Sequence, residues 1–99
     1  MDNSYEYDLE PWYQKRKMLW NSIQLKSDNH VDNVRRWRDH SQLHTLMHNA
    51  DQYAMHILKE ETNCRRLKRE TTRHRKLVKL FEETVQFLED SALMYQLMH

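Results

Sequence analysis

Five histidines, a lone thiol and a run of cations are the side chains in this sequence whose types and spacing could do chemistry. His40, His44 and His48 recur every four residues, with Asp51 and His56 close behind. On a helix that spacing makes a slowly drifting row, and two imidazoles four apart can chelate zinc or nickel. A resident metal site needs more ligands and a second shell of hydrogen bonds, so no metal and no other cofactor is expected. His74 stands among apolar heptad positions, where protonation would bury a charge and make an interface sensitive to pH. Cys64 is the only cysteine, which rules out an internal disulfide, and it is expected to pack as a small apolar residue. The chain has no glycine from which to build a phosphate-cradling loop, and its acids are scattered over helix faces. A noncatalytic protein is the expectation.

The cations are concentrated. Arg65, Arg66, Lys68, Arg69, Arg73, Arg75, Lys76 and Lys79 stand against the single acid Glu70 between residues 65 and 79. Residues 1–14 and 80–99, by contrast, carry acids and no lysine or arginine. The net charge of +1 conceals this segregation. Such a basic patch suits an acidic protein partner or a nucleic-acid backbone, so a nucleic-acid-binding module is the alternative reading. A basic helix followed by Phe81, Val85, Leu88, Ala92 and Tyr95 resembles basic-leucine-zipper DNA-binding proteins, with Asn63 where that family keeps its base-reading asparagine. The pattern departs elsewhere. The family's paired alanines fall on Arg66 and Leu67, its phosphate-binding arginine falls on Thr71, and the apolar seam runs on through the would-be DNA-reading region.

That seam is the element on which everything else depends. Stepping by seven from Leu43 gives Ala50, Ile57, Cys64, Thr71, Val78, Val85 and Ala92. Three residues on from each lie Leu46, Tyr53, Glu60, Leu67, His74, Phe81, Leu88 and Tyr95. Only Glu60, Thr71 and His74 are clearly polar. A seven-residue repeat sustained from 43 to 95 predicts a coiled-coil helix, with Leu43, Leu46, Ile57, Leu67, Val78, Phe81, Val85 and Leu88 as its principal contacts. No Gly or Pro interrupts it, so one helix over 31–98, about 100 Å long, is expected. A hairpin broken at Thr62-Asn63 is the alternative. The fold class is therefore all-α and extended rather than globular. Its seam would be filled by a second copy, with charge pairing that leans antiparallel, or by a hetero-coiled coil.

Ahead of the long helix, residues 1–10 read as an extended acidic segment, solvated until something docks on it. Pro11 is suited to open a short amphipathic helix over 11–26, and Ser27-Asp28-Asn29-His30 reads as a linker rich in helix caps. Trp12, Trp20 and Ile23, with Trp37 beyond the linker, are the candidate docking residues for a larger assembly. Folding back on the long helix is the competing use of that aromatic face. No apolar run is long enough for a membrane span, and the acidic start resembles neither a secretory signal nor a transit peptide, which points to an intracellular site, cytoplasmic or nuclear. Together these features predict a structural or adaptor subunit that packs through a helix into a larger assembly. A regulatory helix that inhibits or staples an enzyme is a further alternative.

Overall fold

The computed structural model describes residues 5–22 and 30–98, with the side chains of 30–39 and of Met98 outside that description. It is all-α: α1 spans Glu10–Ser22, α2 His30–Leu67 and α3 Thr72–Met98. The expected single helix over 31–98 is two helices folded into an antiparallel hairpin. The molecule measures 55 × 20 × 18 Å, about half the length foreseen for one rod.

The chain turns at Lys68–Thr71, and not at Thr62-Asn63, which lie inside α2. Lys68 adopts φ 54°, the left-handed conformation that commonly ends helices. Its N–H donates to the carbonyl of Arg65 at 3.2 Å, and the next N–H, of Arg69, reaches back to Cys64 at 3.0 Å. Together these two bonds satisfy carbonyls that the helix end would otherwise leave open. Thr71 then caps α3, its hydroxyl accepting the N–H of His74 at 3.0 Å.

Folding back lets the seam close on itself. On α3 the buried face follows the expected positions: His74, Phe81, Leu88, Ala92 and Tyr95 are buried, with Val78 and Val85 packed beside them. On α2 the stripe is rotated. Leu43, Ala50, Ile57 and Cys64 are buried as expected, and so is Glu60, but Met47, Ala54 and Glu61 are buried between them as well. Leu46 and Tyr53 pack from the flank, and Leu67, at the helix end, is 40% exposed. The rotation has a cause in the N-terminal segment, which covers α2 on the Met47–Ala54–Glu61 side.

Residues 5–9 are nonhelical yet held against the hairpin. The Tyr7 N–H donates to Glu61 at 2.8 Å, and Leu9 is buried. Asp8 accepts the N–H of Glu10 at 3.0 Å where α1 starts. Trp12 is 4% exposed, its ring edge-on to Phe81 at 5.7 Å, while Tyr7 meets the same ring at 5.9 Å. Burying such rings contributes about 1.5–3 kcal/mol each, and edge-to-face pairing adds roughly 0.5–1.5 kcal/mol. Lys15 pairs with Glu89 of α3, and Arg16 with Asp51 of α2 at 2.8 Å. These contacts lay α1 along the groove between the other two helices, antiparallel to α2 and parallel to α3. Of the expected short helix, residues 23–26 lie outside the described residues, as do the 1–4 end of the acidic segment and 27–29 of the linker.

Candidate functional site

Two surfaces and one buried cluster hold the residues singled out by chemistry, and a third surface stands beside them. The cluster lies at the hairpin turn, where the three polar interruptions of the seam come together. Thr71 donates its hydroxyl hydrogen to Oε1 of Glu60 at 2.9 Å, and Asn63 donates to the other carboxylate oxygen at 3.3 Å. Arg73 stands 3.7 Å from the same carboxylate. His74 is 1% exposed, with Nδ1 3.3 Å from Glu70 and Nε2 3.8 Å from Glu61. Cys64 is buried beside Thr71. These groups serve the fold, capping α3, holding the turn or anchoring the Tyr7 backbone. His74 thus faces the inside of its own hairpin, and not a second chain.

The histidine row lies at the other end of α2. His40 and His44 approach to 3.2 Å between Nε2 atoms, and Trp20 packs edge-on against His44 at 4.3 Å. Burial first, and the neighbouring His44 second, push His40 below its ordinary 6.5. Asp51 is engaged elsewhere, by the indole N–H of Trp12 at 3.0 Å and by Arg16. Among the described residues no three His, Cys, Asp or Glu side chains converge as metal ligands would.

Of the four docking candidates, Trp12 is corrected: its ring is buried in its own core and its N–H is satisfied there, so it cannot meet another protein. Trp20 is 40% exposed over His44. Ile23 lies outside the described residues, and so does the side chain of Trp37.

The basic patch is divided by the turn. Arg65 and Arg66 close α2, Lys68 and Arg69 lie in the turn, and Arg73, Arg75, Lys76 and Lys79 open α3. Arg65 pairs with Glu6 at 3.3 Å and Arg75 with Glu70 at 3.5 Å. Among the described residues no ion pair is formed by Arg66, Lys68, Arg69, Lys76 or Lys79.

Sequence reasoning missed the third surface. On the side of the hairpin away from α1, a groove of about 710 Å³ runs between α2 and α3, lined by Leu43, Leu46, Phe87, Met94 and Tyr95 among others. Phe87 is 62% and Met94 56% exposed along it. Their signal in the sequence is a heptad series of their own, Leu80, Phe87 and Met94, hidden behind the stronger one. No helix is long and apolar enough to cross a membrane among the described residues. No protein-family model, curated protein or solved structure matches the chain.

Proposed function

We propose that the protein is a noncatalytic helical interaction module, a structural or adaptor subunit that joins a larger protein assembly through the open face of α2 and α3. The observation that carries this reading is the groove beside Phe87 and Met94, an apolar surface with no element of the described chain over it. Large apolar side chains gathered on one face favour association, because covering them removes apolar area from water at about 25 cal/mol per Å². The polar groups favour the same reading. Glu60, Glu61, Thr71 and His74 are engaged in holding the hairpin, so they stabilise a rigid support for that face. A photoreactive phenylalanine analogue at Phe87 or Met94 should crosslink to another polypeptide in cells, and one at Lys17, on α1, should not. Equal yields at all three positions would overturn the reading.

A second reading rests on the hairpin tip, where Arg66, Lys68 and Arg69 have no acidic partner among the described residues. There the module would hold a nucleic-acid backbone. Salt-sensitive binding of a fluorescent oligonucleotide, lost in Arg66→Glu/Arg69→Glu, would support it; no binding at low salt would end it.

A further inference from the structure

We infer that a second copy of this chain occupies the open face, in an antiparallel pairing whose two-fold axis crosses α3 near Thr84. This rests on the reading of that face as an interaction surface and names its occupant.

Periodicity marks the face as one for another helix. One side of α3 packs on α2, and beside it runs a second stripe, Leu77, Leu80, Thr84, Phe87, Ser91 and Met94, spaced alternately three and four apart. All six are partly or largely exposed. Thr84 turns its hydroxyl onto the carbonyl of Leu80 at 2.8 Å, which leaves its methyl group for packing. An alternation of three and four is what a helix shows to another helix; Leu77 packs against the hairpin core, while Leu80, Thr84, Phe87, Ser91 and Met94 stay partly or largely exposed.

Charge identifies the occupant. The outer edge of this stripe carries Lys76 and Lys79 toward one end, Asp90 toward the other and Glu83 near the middle. None of the four forms an ion pair among the described residues, whereas the acids on the α1 side of the same helix are engaged, Glu89 by Lys15 and Glu82 by the Tyr7 hydroxyl. An edge that is basic at one end and acidic at the other complements itself when reversed. Rotating a second copy about an axis in the contact plane, perpendicular to α3, lays α3 over α3 and α2 over α2. Lys79 of each copy then lies near Asp90 of the other. Glu83, close to the axis, keeps Lys79 one turn away on its own helix.

The stripe is roughly 25 Å long and the face is two helices wide, which corresponds to the lower end of specific interfaces, about 600 Å² per partner. Such an interface belongs to a reversible dimer.

The test is light scattering on the purified full chain from about 1 to about 100 µM, a range that brackets a micromolar equilibrium. The mass should rise from 12.4 kDa toward its double. Phe87→Asp/Met94→Asp should weaken association at least tenfold while leaving the helical circular dichroism and the melting temperature in place. Lys79→Glu and Asp90→Lys should each weaken it about threefold to tenfold, since two symmetric exposed pairs are lost, and the double variant should restore it. A chain monomeric throughout, yet still crosslinking from position 87 to a different protein, overturns self-pairing and leaves the interaction reading standing. Loss of face-specific crosslinking overturns both. A dimer that survives the Phe87/Met94 change, or a charge-swapped double no tighter than either single, overturns this geometry.

Discussion

The hydroxyl of Thr71 donates to Oε1 of Glu60 across 2.9 Å, joining the first residue before α3 to a carboxylate in the last turns of α2. The Thr71 hydroxyl oxygen also accepts the N–H of His74, so one side chain caps a helix and fixes the angle at which it leaves the turn. Thr71→Val keeps the size and removes both functions. The lost cap costs about 1 kcal/mol. Glu60, buried and short of a donor, adds about 1–3 kcal/mol. A destabilisation of about 2–4 kcal/mol should follow in urea titrations, while Thr71→Ser should remain within about 1 kcal/mol of the parent. If Val and Ser prove equally stable, the hydroxyl does not hold the turn.

Lys68 occupies a left-handed position that favours glycine, in a chain that has none. A side chain there costs roughly 1–2 kcal/mol, and glycine returns part of that gain through the greater freedom of its unfolded chain. Lys68→Gly should therefore stabilise the hairpin by about 0.5–1 kcal/mol. Lys68→Ala separates backbone from charge, because it removes the cation and keeps the conformational cost. Thermal melts in which Ala gains as much as Gly would assign the effect to repulsion among Arg65, Arg66 and Arg69 and not to the backbone.

These two residues also explain what could and could not be read from the sequence. Fold class and most buried positions were legible, because burial on a helix imposes a period, and Leu43, Ala50, Ile57, Phe81 and Leu88 keep it. The turn was not. Helix ends are usually marked by glycine, and here Lys68 takes the mark's place while Thr71, the cap, falls in register and reads as one polar defect in a continuous seam. Glu60 and His74 read as two more defects, although the three meet at the turn. Trp12 was legible as an apolar anchor, but helical spacing shows that a face is apolar and says nothing of what covers it. The Phe87 and Met94 series was obscured because apolar residues on α3 span a wide arc, and the stronger series drew the assignment.

Two groups give the fold a pH dependence of opposite sign at its two ends. The His40 value lies below 6.5, so folding favours the neutral ring. Its contribution is present above pH 6.5 and is lost as pH falls through the lower folded value. The charged form would stand against His44, which itself packs on Trp20. The Tyr7 hydroxyl is pushed up to about 12, by burial first, then by its hydrogen bond to Glu82 and the charges of Glu82 and Asp8. Folding favours the protonated phenol, so its contribution is complete below pH 10 and disappears between there and about pH 12. Stability measured against pH should therefore fall on both sides of a neutral plateau. His40→Asn should flatten the acid limb alone, and Tyr7→Phe, which cannot ionise, the alkaline limb alone. Each variant thereby acts as the control for the other. An acid limb unchanged in His40→Asn would remove His40 as its cause, and an alkaline limb unchanged in Tyr7→Phe would mean that the docking of the N-terminal segment on Glu82 does not govern unfolding at high pH.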